Sequence, residues 1–130
     1  MLEISAGGIV NAGETLEQAI IREVKEELGL DLREGDLKLF SVEPWNHHHP
    51  KLKKHTKVFL HSYVVKVDID SKDIVKTVND DETLFISAIS LRKAKNLVRL
   101  GRLKNLGRLT PANSYWRKCV AAAKTYLSNN

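Results

Sequence analysis

The chain has 130 residues, 42% hydrophobic and 28% charged, a composition that predicts a packed globule rather than disorder and a length that suits one domain, 1–130, with a core of its own. No apolar run approaches the roughly 18 residues that span a bilayer, and a single cysteine, Cys119, excludes an internal disulfide and fits a reducing compartment, the cytoplasm by default. The net charge of +5 conceals an asymmetry: residues 1–36 carry nine acids against three bases, and the other 94 carry 18 bases against seven acids.

In chain order, Met1–Ala6 reads as short and extended, and Gly7 and Gly8 then break any regular element. Thr15 opens the first helix, with Gln18 three positions on completing a capping box. Leu16, Ile20, Val24 and Leu28 recur every four residues as the expected buried stripe, widened by Ile21, and Gly29 ends the helix. Leu37–Val42 reads as a strand, Pro44–Lys57 as a loop, and Val58–Ile69 as the best strand in the chain. Thr83–Ile89 reads as a third strand. Ser90 caps a basic helix reaching about Leu100, and Thr110-Pro111 opens a last helix expected to bury Ala112, Trp116, Cys119, Val120, Ala123 and Leu127. The pattern is that of one α/β or α+β domain.

Within the first helix, REVKEELGL places Glu23, Glu26 and Glu27 three and four residues apart. At 100° per residue they occupy an arc of about 100° beside the apolar stripe. Like charges so placed repel by roughly 0.2–0.5 kcal/mol per pair. Helix formation does not need that crowding, whereas a divalent cation does. Carboxylate oxygens are hard donors suited to Mg²⁺ or Mn²⁺.

Residues 8–30 read GIVNAGETLEQAIIREVKEELGL. Gly8, Glu14, Arg22-Glu23, Glu26-Glu27 and Gly29, with aliphatic Val24 and Leu30, meet every fixed position of GX5EX7REUXEEXGU, where U is aliphatic. The chain therefore resembles the Nudix hydrolase family. That resemblance implies an α/β/α sandwich with a mixed sheet. It implies that Glu23, Glu26 and Glu27, with the Gly7 carbonyl, hold Mg²⁺ or Mn²⁺, and that Glu14 and Arg22 pair to fix those glutamates. The implied reaction is attack of water on a phosphorus of a nucleoside diphosphate linked to another moiety. Glu23, Glu26 and, from a later loop, Glu82 are the alternatives for the proton acceptor. The implied partner is a small phosphorylated substrate, a nucleotide derivative, and not a membrane. RNA also remains open.

The charge asymmetry suits such a site, with a basic surface steering an anionic ligand to an acidic island; equally, it suits a surface that only keeps the protein soluble. The histidines of WNHHHPKLKKH lack the spacing of a zinc site and read as a solvated loop. A sharper alternative stacks Trp45 on a base while Lys51, Lys53, Lys54 and Lys57 meet phosphates. The stretch LRKAKNLVRLGRLKNLGRL (91–109) reads as a solvated basic face, with a nucleic-acid or membrane-surface helix as its rival.

Two features depart from the family pattern. Only seven residues precede Gly8 where family members have tens, so N-terminal strands are expected to be missing or shortened, leaving a sheet edge that a second copy of the chain could cover. Ser-Ala-Gly-Gly before the box is similar to isopentenyl-diphosphate isomerases, but those use a central cysteine and Cys119 lies in the last helix. The isomerase is the weaker alternative; a catalytically inactive module that binds nucleotide or RNA is the stronger one.

Overall fold

A computed structural model describes residues 6–49, 54–70, 73, 89–100 and 112–128, with the side chains at 45–49, 54, 112 and 113 excepted. Its elements are α1 (Leu16–Leu28), a 3-10 turn (Glu34–Asp36), β1 (Lys38–His49), β2 (Lys54–Val64), α2 (Leu91–Arg99) and α3 (Ala112–Ser128). The chain is α/β, with few strands among the described residues: β1 and β2 pair as a small antiparallel two-stranded sheet. Contacts divide it into two compact units. One carries α1 and the 3-10 turn; the other carries β1 from Leu39, β2, α2 and α3.

In the first unit, Thr15 caps α1. Its Oγ1 accepts from the Gln18 N–H at 3.1 Å, and Gln18 Oε1 accepts from the Thr15 N–H at 3.0 Å, so two otherwise orphaned donors are satisfied reciprocally. Gly29, with φ 66°, closes the helix by donating to the Lys25 carbonyl. The helix packs against the 3-10 turn, beside which Leu37 is buried. The buried face differs from the expected stripe. It runs through Ala19, Val24 and Leu28, while Leu16 is exposed and Ile20 and Ile21 are only half-buried. Leu16 is the first residue of the helix.

In the second unit, α3 packs on α2 and on β2. Val98 and Tyr115 are buried there, and the Ser62 hydroxyl, also buried, meets the Tyr115 hydroxyl at 3.1 Å. Lys118 Nζ on α3 donates to Glu43 Oε1 on β1 at 2.6 Å, and Ser41 Oγ donates to the same carboxylate at 2.8 Å. Ser90 caps α2 by accepting from the Lys93 N–H at 3.2 Å.

Several expected boundaries are corrected. The strand expected over Leu37–Val42 runs on to His49, and the following strand starts at Lys54 and ends at Val64, so most of the Pro44–Lys57 loop is a hairpin. Among the described residues β1 has β2 as its one neighbouring strand, and a strand at a sheet edge tolerates a proline such as Pro44. The expected extension through Ile69 is irregular from Val65, beyond the pairing with β1. In α3 the buried aromatic is Tyr115, whereas Trp116, Cys119, Val120 and Ala123 are half-buried and Leu127 is 60% exposed. Residues 1–5, 83–88 and 110–111, on which a strand, most of a third strand and a helix start were expected, lie outside the described residues.

Candidate functional site

The loop before α1 is built to present one carboxylate. Asn11–Glu14 forms a turn in which the Glu14 N–H donates to the Asn11 carbonyl at 3.1 Å. The Asn11 N–H in return donates to Glu14 Oε2 at 2.9 Å. Gly13 carries the turn at φ 87°, a conformation that side chains disfavour. Glu14 thus reaches α1 already bound to its own loop.

Arg22, in the second turn of α1, joins that loop to the helix. Its Nε donates to Glu14 Oε1 at 2.8 Å and its Nη2 to Glu14 Oε2 at 3.2 Å. Nη2 also donates to the Ile9 carbonyl at 3.1 Å. Nη1 donates to Glu23 Oε1 at 2.8 Å and to Glu26 Oε2 at 3.1 Å. A guanidinium has five N–H groups in a planar fork, and these five contacts use them all. The cluster is partly sheltered: the side chains of Glu23, Glu14, Arg22 and Glu26 are 15%, 21%, 28% and 59% exposed.

The electrostatics follow from the contacts. Hydrogen bonding to Arg22 first, then to the Asn11 backbone, holds the Glu14 carboxyl below the usual carboxylate range. Bonds from Glu14 and then Glu23 raise the Arg22 pKa further. Formally, three carboxylates surround one guanidinium, so the cluster keeps a charge of −2, to which Glu27 on the same helix adds another. Repulsion among the glutamates is thus relieved only in part, and by a group on the same helix.

Gly8 adds a steric condition. A Cβ built there would overlap the Glu23 carboxylate, so the loop backbone passes directly against that side chain. Glycine is required for the approach, not for an unusual φ.

These features bear on a divalent ion in two ways. Residual negative charge, hard oxygen donors and the glycine cradle beside Glu23 fit one. Among the described residues, however, no three His, Cys, Asp or Glu side chains converge as a ready-made metal cage; Glu23 and Glu26 are turned toward Arg22.

Sequence reasoning named Glu14, Arg22, Glu23 and Glu26, and the structure brings those four together. Glu27 is half-buried on the same helix and Gly7 is exposed in the preceding loop. Trp45 and Lys54 lie in β1 and β2 with side chains outside the described set, Lys57 is exposed on β2, and Glu82 is outside the described residues. Two participants were missed, the Ile9 carbonyl and the Asn11 N–H. Asn-Ala-Gly-Glu is a turn spelling that could have located the second; a carbonyl acceptor leaves no trace in residue type.

Comparison with known proteins agrees with the motif. The family model described as NUDIX domain matches residues 2–110. The chain is 50% identical over 38 residues to the NAD-capped RNA hydrolase NudC of Photobacterium profundum, covering 29% of this chain and 14% of that protein. It is 47% identical over 38 residues to the NAD-capped RNA hydrolase NudC of Vibrio atlanticus, covering 29% and 13%. The chain thus matches only a small part of the length of these relatives. No solved structure matches. Among the described residues no helix is long and apolar enough to cross a membrane. The chain belongs to the NUDIX family, a family of pyrophosphohydrolases that act on nucleotide derivatives and generally use divalent metal ions.

Proposed function

We propose that this member of the NUDIX family is a Mg²⁺- or Mn²⁺-dependent pyrophosphohydrolase that cleaves a nucleoside diphosphate linked to another moiety. The observation that carries the reading is the five-bonded Arg22, which gathers Glu14, Glu23 and Glu26 at one helix edge. Glu23, Glu26 and Glu27, with the Gly7 carbonyl, would hold the ion. When bound, the ion supplies positive charge against the diphosphate and acidifies the attacking water. Glu14 and Arg22 position the carboxylates, and the turn at Gly13 fixes Glu14. Glu23 or Glu26 accepts the proton, with Glu82 as the alternative, and Trp45, Lys54 and Lys57 bind the substrate. The substrate classes are nucleotide sugars, dinucleoside polyphosphates, damaged nucleotide triphosphates and capped RNA ends, the last of which the names of the relatives favour, and the reducing compartment that suits Cys119 is the cytoplasm.

The test is phosphate or nucleotide release from a panel of such diphosphates, with and without Mg²⁺ or Mn²⁺. Metal-dependent cleavage of one class supports the reading and identifies the leaving group. Tight nucleotide binding without cleavage of any class would instead establish the inactive binding module, and turnover of isopentenyl diphosphate the isomerase.

A further inference from the structure

The described part of the basic stretch that begins at Leu91 is α2. It forms one wall of a groove of about 630 Å³ between α2 and α3. Arg92, Lys95 and Arg99 line it from α2, and Arg117 and Lys124 from α3. Spacings of three, four and seven residues set each group on one side of its helix. All five side chains belong to exposed residues, and none makes an ion pair among the described residues. Among the described residues no acidic side chain lines the groove. Its floor includes Val98, which is buried.

Five like charges around one concavity repel each other unless an anion enters. A volume of that size lies within the range of ligand clefts, about 300–1,000 Å³, enough for a strand of a few nucleotides and too small for a duplex. A bilayer is the poorer match: a surface-binding helix offers its apolar face outward, whereas Val98 of α2 is buried and Arg92, Lys95 and Arg99 line the groove. We propose that the groove between α2 and α3 binds a phosphodiester strand, single-stranded RNA or DNA, through its backbone. The inference stands apart from the hydrolase reading, since no groove residue belongs to the unit carrying Glu23 and Glu26.

The experiment is fluorescence anisotropy of short single-stranded RNA and DNA oligonucleotides with the full chain, in EDTA so that no turnover intervenes. Binding is expected to weaken with salt, with a log–log slope of about −0.7 per phosphate contacted, hence roughly −2 to −3.5 for three to five contacts. Arg99→Gln with Arg117→Gln should weaken binding about tenfold or more and reduce the slope by about 1.4. Arg99→Lys with Arg117→Lys, which keeps the charge, should retain most of the binding. Lys66→Gln with Lys93→Gln removes the same charge from exposed positions off the groove and should leave binding nearly unchanged. Preference for RNA over DNA would specify 2′-hydroxyl contacts; equal affinity would specify phosphates alone. Absence of oligonucleotide binding at low salt, equal losses from the two glutamine pairs, loss in the lysine pair equal to that in the matching glutamine pair, or stronger binding to phosphatidylserine vesicles than to either oligonucleotide would each overturn the proposal.

Discussion

The Arg22 guanidinium holds both carboxylate oxygens of Glu14, at 2.8 and 3.2 Å, across eight residues of chain. A lysine has three donors on one nitrogen and cannot reproduce a planar fork reaching the loop and the helix together. Arg22→Lys is therefore expected to lower kcat/KM by about 10–100-fold, the usual cost of losing a group that orients metal-binding side chains, with α1 still formed by circular dichroism. Unchanged kcat/KM would show that the positive charge alone suffices.

Gly8 and Gly13 separate two roles of glycine. Alanine at position 8 would overlap only the end of the flexible Glu23 side chain, which can swing away. Gly8→Ala should keep stability within about 0.5 kcal/mol and weaken Mn²⁺ binding by about tenfold or more, read by calorimetry. At position 13 nothing crowds an added Cβ, but φ is +87°. Gly13→Ala should thus lower stability by about 1–2 kcal/mol, read by urea unfolding.

The buried Ser62–Tyr115 pair makes a prediction for alkaline pH. Burial pushes the Tyr115 phenol up to about 12 from its ordinary 10.0. A raised pKa means the folded state binds this proton more tightly, so the contribution is whole below pH 10 and is lost as pH rises toward 12. Tyr115→Phe, which leaves the Ser62 hydroxyl unpaired, should cost about 1–3 kcal/mol at neutral pH. The gap between variant and wild type should shrink above pH 10 in denaturant titrations.

The Glu43–Lys118 pair has the opposite sign. The Lys118 ammonium first, then the Ser41 hydroxyl, hold Glu43 below its ordinary 4.5. The stabilisation is present above that pH and is lost as pH falls through the lower folded-state value. Lys118 is half exposed, so Lys118→Met should cost only about 0.5 kcal/mol at pH 7. Acid-unfolding curves of variant and wild type should converge below pH 4.5.

What the sequence disclosed depended on how local the cause was. The capping box at Thr15 and Gln18, the stop at Gly29 and the cap at Ser90 involve neighbours within four residues, and all formed as expected. The meeting of Glu14 with Arg22 was legible through the family spacing. The hairpin was not: Pro44 and the histidines argue for a loop locally, and only pairing with β2 extends β1 to His49. The burial of Tyr115 in place of Leu127 depends on where Ser62 and Val98 lie, which helical periodicity does not encode. The groove was hidden for the same reason, since its cations come from two helices separated in sequence.

The most direct measurement is phosphate release from a cleavable diphosphate substrate across a Mg²⁺ titration, for wild type and for Glu26→Gln with Glu27→Gln. If the acidic edge of α1 grips the ion, wild-type turnover saturates with Mg²⁺ and the double variant loses about 100-fold or more of it. Turnover indifferent to Mg²⁺, or undiminished in the double variant, would contradict the assignment.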